Sequence, residues 1–286
     1  MTLTVQTTWG HLVAWYLFLA GMGAGLYIIA IGAKIWRGST AYEKAGYYLS
    51  PALVILGSFL LLLDLGQPLR AALAILRPHS SMISVGTLIL SLFIAVGLLQ
   101  GYLLYRGRRL AAFWDWAGLL LAVGAATYTG LLLGVVKAIP FWNNPLLPVL
   151  FLVSAVSSGA GLLMLLPARG PLAAGEGGDI LLPQLLRLDT GLIIVKAGLL
   201  ATLILIAKTG GLAAAASAAI LLSGFFALPF WGLVVVAGLV IPLALELRGQ
   251  AHAPRGRLAA GLCLLAGALA LRYSVVVAGV WLPLGG

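Results

Sequence analysis

Four polar side chains near the ends of apolar runs have the chemical types needed for proton transfer and hydrogen bonding. Asp64 and Arg70 lie between two apolar runs, whereas His11 and Tyr128 lie near the ends of others. A charged group at a membrane boundary costs free energy unless it has a partner or a function. A carboxyl or imidazole group can exchange protons, and a phenol can donate a hydrogen bond to a carbonyl group. We therefore interpret these residues as part of a site that handles protons.

The same positions also have structural interpretations, which the sequence leaves open. Tyr16, Tyr128 and Trp142 could be aromatic anchors at the membrane interface. Asp64 and Arg70 could form an ion pair that closes a loop, and the histidines could be boundary residues. The functional interpretation is favoured when the set is taken together, because the predicted topology brings all of it to one face.

The composition predicts an all-α, polytopic membrane protein. Of the 286 residues, 62% are hydrophobic and only 8% are charged, and several runs of 18 or more residues are almost free of charge. The formal net charge of +10 does not indicate nucleic-acid binding, because the basic residues lie in short loops between apolar spans. The protein is therefore expected to contact membrane lipid and not nucleic acid.

The apolar runs divide into eight predicted spans, most of them near the roughly 20 residues that cross about 30 Å of hydrocarbon. They cover about 11–36, 45–64, 83–105, 114–136, 145–167, 185–207, 225–247 and 258–281. Since 212–247 is too long for one crossing, a break is predicted near Gly224, with 212–222 on or in the membrane surface. Residues 1–286 are expected to form one integral membrane domain.

The loop charges predict the orientation of these spans. The loops after spans one, three, five and seven hold Lys34, Arg37, Lys44, Arg106, Arg108, Arg109, Arg169, Arg187, Arg248, Arg255 and Arg257. The loops of the opposite side hold Arg70, Arg77, Lys137 and Lys208. Because basic loops stay in the cytoplasm, both termini are predicted to be non-cytoplasmic in the cell membrane. The non-cytoplasmic face then carries His11, Tyr16, Asp64, Arg70, Tyr128, Trp142 and Asn143.

Residues that would hold a metal cofactor are scarce. A b-type haem between helices needs two inward-facing histidines, but the three histidines lie at a span end or in loops, on opposite sides. Cys263 is the only cysteine, which is too few for an iron–sulfur cluster or a zinc site. The protein is therefore expected to carry no metal, haem or iron–sulfur cluster, and electron transfer would need a lipid-soluble quinone.

Several segments together resemble a known family. The most specific are Asp-Leu-Gly-Gln-Pro-Leu-Arg at 64–70 and Phe-Trp-Asn at 141–143. The others are 11–25, 127–130, 154–159 and 271–272. In this order they resemble the NrfD-like membrane subunits typified by polysulfide reductase, and the resemblance covers nearly the whole sequence.

The resemblance implies eight helices in two four-helix bundles, which bind menaquinone or a similar quinone near the face where a ferredoxin-like iron–sulfur subunit docks. A molybdopterin catalytic subunit completes such complexes in anaerobic respiration. By resemblance, Tyr128 is the tyrosine that hydrogen-bonds the quinone, and Tyr16 stands where a first-helix polar ligand is found. The predicted site comprises Asp64 and His11 for proton exchange and Tyr128, Tyr16, Arg70, Trp142 and Asn143 for cofactor binding.

Four ionisable residues inside predicted spans suggest a path for protons. Lys196 lies midway through span six, Arg272 about two-thirds across span eight, and Asp189 and Glu246 near the cytoplasmic ends of spans six and seven. Asp189 and Lys196 are two helical turns apart on one helix face. Charge inside a membrane is usually paired or functional, so a proton path and a clamp of salt bridges both stay open.

A secondary transporter is the alternative function. Lys196, Arg272 and the abundant glycine agree with it, but paired interrupted helices in two halves of the sequence are not evident. The favoured function is a membrane anchor without a catalytic centre of its own, which passes electrons between quinone and a docked iron–sulfur protein.

Overall fold

The computed structural model describes residues 4–65, 82–108, 110–166 and 178–281. These residues form nine longer helices and one short 3₁₀ helix at Gln250–His252. The longer helices are α1 His11–Arg37, α2 Glu43–Leu65, α3 Met82–Tyr105, α4 Ala112–Gly134, α5 Leu146–Leu165, α6 Gly178–Thr209, α7 Leu212–Leu222, α8 Ala227–Leu247 and α9 Pro254–Val277. All but α7 are long and apolar enough to cross a membrane. The predicted all-α membrane fold with eight spanning helices is therefore confirmed.

Helix α6 shows the largest difference from the predicted spans, because it starts seven residues before position 185. Hydropathy detects only the part of a helix that faces hydrocarbon. The first turns of α6 include Pro183, Gln184 and Arg187, which are less apolar but continue the helix. Pro183 is the sixth residue of this helix and removes one backbone hydrogen bond, but the helix continues through it.

The break near Gly224 is confirmed. Helix α7 ends at Leu222 and α8 begins at Ala227. A Cβ atom at Gly224 would lie 2.8 Å from the Cα of Ile220, so the backbone turns where only glycine fits. The middle of α8, Phe230–Val240, is wound as a π-helix, a form often found at functional sites.

Helix α1 lies at the centre and contacts α2, α4, α5 and α9. It packs against α5 at Gly25 and Gly159, where a Cβ atom on either residue would overlap the backbone of the other helix. Small residues allow such close approach between membrane helices. The division of the eight helices into two four-helix bundles stays a prediction.

The segments before α1 and after α9 pair with each other. The Gln6 amide donates to the Gly279 carbonyl at 2.9 Å, and the Trp281 amide donates to the Thr4 carbonyl at 3.0 Å. We call the end of the helix assembly where these segments meet the terminal end, and the end where α1 finishes at Arg37 the opposite end. Which of the two faces the cytoplasm stays a prediction.

Candidate functional site

Two tyrosines from α1 and α4 approach each other inside the terminal half. Tyr16 is fully buried, and its hydroxyl has no hydrogen-bond partner in the described part of the protein. Tyr128 is 2% exposed, and the two phenols lie within electrostatic range of each other. Gly86 of α3 makes room for Tyr128, since a Cβ atom at position 86 would overlap the phenol ring. Three helices thus position a pair of buried phenols.

His11 and Asp64 lie nearer the surface of the same end. His11 is the first residue of α1, Asp64 is in the last turn of α2, and both are exposed. Their side chains are within electrostatic range of each other. The structure therefore brings together the two residues predicted to exchange protons. Arg70, and with it the alternative ion pair to Asp64, lies outside the described residues.

Trp142 and Asn143 are held by the helices around them. The buried Trp142 indole donates a 2.7 Å hydrogen bond to the Val275 carbonyl of α9 and packs against Trp9, with ring centroids 5.3 Å apart. The exposed Asn143 amide donates to the Gly134 carbonyl at the end of α4. The only N–H donor of the Trp142 side chain is thus already used within the fold. A contact of either residue with a cofactor stays a prediction.

The four ionisable residues predicted for proton transfer are all buried. Three of them lie where α6 meets α8: Asp189 and Lys196 belong to α6, and Glu246 belongs to α8. Lys196 donates to the Gly238 carbonyl in the π-helix at 3.2 Å and to Ser157 Oγ at 3.4 Å. Asp189 is fully buried, and neither carboxylate oxygen has a hydrogen-bond partner. It interacts at longer range with Lys196, Ser157 and Glu246. These groups form a continuous polar cluster between α5, α6 and α8.

Arg272 extends this cluster towards the tyrosines. Its Nε donates to the Leu17 carbonyl of α1 at 2.9 Å, and its Nη1 donates to Ser154 Oγ at 3.1 Å. Leu17 is the neighbour of Tyr16 in the sequence, so the guanidinium group reaches the helix turn that carries this phenol. Lys196 in turn lies within electrostatic range of Arg272.

A clamp of direct salt bridges does not connect these four residues. Between residues that the structure describes, every ion pair within 4.0 Å involves Lys34, which lies near the end of α1 and is not one of these four residues. Glu246 Oε2 instead accepts a 2.7 Å hydrogen bond from Thr190. The cluster is therefore a row of separated charges, in which Lys196, Glu246 and Arg272 each form hydrogen bonds with their own nearby hydroxyl or carbonyl groups.

The sequence analysis missed a second polar cluster, which lies at the opposite end. The Lys34 ammonium of α1 is 2.8 Å from Glu43 Oε1 of α2 and 2.8 Å from Asp115 Oδ2 of α4. It also donates to the Tyr47 hydroxyl, which donates a short hydrogen bond to Asp115. Lys34 thereby ties three helices together.

This second cluster continues into the membrane. Gln100 of α3 donates to Asp115 Oδ1 at 3.1 Å and accepts a 2.7 Å hydrogen bond from the Tyr27 hydroxyl. Two features of the sequence could have indicated this cluster. The protein has only seven Asp and Glu residues, and two of them, Glu43 and Asp115, lie near the starts of predicted spans. The comparison of loop charges that predicted the orientation of the spans treated Lys34 only as a loop residue.

In the described ranges, no group of three or more His, Cys, Asp or Glu side chains could hold a metal ion. Cys263 lies half-buried in α9. The expectation that the protein has no metal, haem or iron–sulfur cluster stays a prediction.

The protein is similar to known membrane proteins over most of its length. Residues 2–283 match the family described as "Polysulphide reductase, NrfD". One chain of the polysulfide reductase of Wolinella succinogenes is 32% identical, with 95% of this sequence and 94% of the relative covered. Protein NrfD of Escherichia coli is 28% identical over the same shares of the two sequences. One subunit of the selenate reductase of Mesobacillus selenatarsenatis is 26% identical over 64% of this sequence and 53% of that protein.

Proposed function

Since the chain belongs to the NrfD family of polysulphide reductase membrane proteins, we propose that it is the quinone-reactive membrane subunit of a respiratory oxidoreductase complex. It binds a quinone or quinol at the terminal end and exchanges electrons with a docked iron–sulfur subunit. The observation that carries the proposal is the buried Tyr16 hydroxyl, which lies within electrostatic range of Tyr128 and has no hydrogen-bond partner among the described residues.

The residues present at this end fit a quinone. Leaving a buried hydroxyl unpaired costs roughly 1–3 kcal/mol, a cost that a ligand carbonyl would remove. Tyr16 and Tyr128 are the donors that would hold carbonyl groups, and Gly86 makes the room that the Tyr128 ring itself occupies. When bound, menaquinone or a similar quinone supplies redox chemistry that takes up or releases protons together with electrons.

The surface residues of this end suit proton exchange. Asp64 and His11 are exposed and lie within electrostatic range of each other. His11 precedes Tyr16 by five residues on the same helix, a rise of about 7.5 Å. Asp64 and His11 would therefore pass protons between the aqueous surface and the buried phenols. Arg70, Trp142 and Asn143 complete the proposed site as further contacts for the cofactor.

The partners proposed for the terminal end are a ferredoxin-like iron–sulfur subunit and a molybdopterin catalytic subunit. Two relatives are named as one chain or one subunit of a reductase, which supports a complex with further subunits. The loop charges predict that this end lies on the non-cytoplasmic side of the cell membrane. Electron exchange between the docked subunit and the quinone would then take place close to that surface.

Proton transfer through the membrane is a second part of the proposal. Glu246 and Asp189 lie towards the opposite end, Lys196 lies further along α6, and Arg272 contacts the turn of α1 that carries Tyr16. This row of buried groups gives protons a route from the opposite end to the phenols. Secondary transport is less well supported, because the break between α7 and α8 has no counterpart among the described residues of the first four spans.

Substitution of Tyr128 by Phe tests the proposal in the assembled complex. The change keeps the ring and removes the hydroxyl, so quinol-linked turnover should fall about two- to tenfold, as expected for one hydrogen bond. Subunit assembly and the partner's activity with artificial dyes should persist. Tyr102→Phe is the matched control, because Tyr102 is exposed on α3. Unchanged quinol kinetics in Tyr128→Phe would overturn the assignment of this tyrosine.

A further inference from the structure

A cavity at the opposite end remains outside the proposed quinone site. It has a volume of about 360 Å³ and lies between α1, α5, α6 and Tyr42, which lies just before α2. Its apolar wall includes Ile29, Val156 and Leu185, and its outer rim includes Arg37 and Gln184. The volume is in the range of roughly 300–1,000 Å³ that small-molecule sites occupy.

The rim offers one cation and one hydrogen-bond acceptor. Arg37 is exposed and forms no ion pair with another residue in the part of the protein that the structure describes. The Gln184 side-chain oxygen is buried and has no hydrogen-bond partner among the residues that the structure describes. A guanidinium group pairs well with a phosphate, and an unpaired amide oxygen can accept a hydrogen bond from a hydroxyl group.

The surroundings of the cavity suit the head-group level of a bilayer. Trp36, also on the rim, is 65% exposed and packs edge to face with Trp116 at 5.9 Å. Exposed tryptophans of this kind concentrate at membrane interfaces. The same end holds most of the basic loop residues, and basic pockets between membrane helices bind acidic head groups.

We propose that this cavity binds one anionic phospholipid with a hydroxyl-bearing head group, such as phosphatidylglycerol. Its phosphate pairs with Arg37, a head-group hydroxyl donates to Gln184, and an acyl tail lies along Ile29, Val156 and Leu185. The neutral head of a quinone would leave Arg37 without a counter-charge, which favours the phospholipid. The proposal is independent of the quinone site, since the cavity lies at the other end of α1.

The test is native mass spectrometry of the complete, delipidated protein titrated with phosphatidylglycerol or phosphatidylcholine. Phosphatidylglycerol should bind more tightly, in a single copy. Arg37→Gln should weaken its binding about fivefold, the factor that one basic residue near an acidic lipid surface contributes. Arg255→Gln is the matched control, because Arg255 is an exposed arginine at the same end that does not line the cavity.

A second pair of variants tests the apolar part. Ala33 lines the cavity, so Ala33→Phe should fill it and abolish binding. Leu188→Trp has the same purpose at an exposed position, where folding is not at risk. Equal affinity for the two lipids, an equal loss in Arg37→Gln and Arg255→Gln, or unchanged binding in both filling variants would overturn the proposal. Displacement of the lipid by a soluble menaquinone analogue would identify the cavity as a quinone site instead and would equally overturn it.

Discussion

The phenol ring of Tyr128 in α4 lies so close to Gly86 in α3 that a single methyl group at position 86 would overlap it. Glycine at this position therefore creates the space that the ring occupies. Because the Tyr16 phenol lies within electrostatic range of Tyr128, a shift of the Tyr128 ring changes the position of the two phenols relative to each other.

Gly86→Ala should therefore impair the site although residue 86 has no functional group. The added methyl displaces the Tyr128 ring, and quinol-linked turnover of the assembled complex should fall by at least as much as in Tyr128→Phe, about two- to tenfold. Gly124→Ala is the matched control, since a Cβ atom there would meet only Ile89, at an ordinary 3.5 Å. Equal turnover in the two alanine variants would contradict the positioning role of Gly86.

Lys196 and Asp189 should be coupled in stability. Lys196→Met leaves the buried Asp189 carboxylate without its cation, which should cost less than the roughly 3–5 kcal/mol of a broken direct pair because the two groups are not within 4.0 Å of each other. The double variant Lys196→Met with Asp189→Asn removes both charges and should recover part of this loss. Thermal unfolding of the four proteins of this cycle in detergent provides the measurement.

The losses in the free energy of unfolding caused by the two single variants should not sum to the loss measured for the double variant. Strictly additive effects would show that Asp189 and Lys196 act independently, although they lie within electrostatic range of each other. In that case the row of charges would lose its support as a connected path.

Lys34 should be the most sensitive lysine at the opposite end. Lys34→Met leaves Glu43 and Asp115 facing each other without the cation that joins them. Since the Lys34 side chain is 18% exposed, we expect a loss near the lower limit of the roughly 3–5 kcal/mol for a broken buried pair. Lys44→Met, at an exposed position of α2, should change the melting temperature little. A similar small change in both variants would show that the cluster does not hold α1, α2 and α4 together.

The orientation can be tested by labelling single cysteines in intact cells. In a Cys263→Ala background, an impermeant thiol reagent should modify a cysteine at position 7, before α1, and leave one at position 108, after α3, unmodified. Both positions are exposed on this protein, and expression without the proposed partner subunits keeps position 7 uncovered. The opposite labelling pattern would show that the protein has the inverse orientation and that the proposed site lies on the cytoplasmic face.

Hydropathy predicted the spanning helices well. A helix that crosses hydrocarbon satisfies its backbone polar groups by internal hydrogen bonds and presents apolar side chains to the lipid. The break near Gly224 was predictable for the same reason, since one crossing cannot use the whole apolar run of 212–247. The π-helix at 230–240 was not predictable, because its winding depends on packing against α9, where Gly238 and Gly267 approach each other closely. The extra turns of α6 lie outside the strongly apolar segment.

The residues of the candidate site were predictable by type, but their contacts were not. Asp64 and His11 are distant in sequence, and only the folded protein brings them within electrostatic range. The cluster around Lys34 was missed because a charge near a span end is usually solvated, whereas Glu43 and Asp115 are buried here by neighbouring helices. Loop charge alone cannot distinguish these cases.

The most direct test of the central claim is photoaffinity labelling of the assembled complex with an azido-quinone, followed by peptide mapping. We expect the label in the peptides of α1 and α4 that contain Tyr16 and Tyr128, and we expect excess unlabelled menaquinone to abolish it. Label confined to the cavity at Arg37 and Gln184, or spread evenly over all helices, would contradict a quinone site at the terminal end.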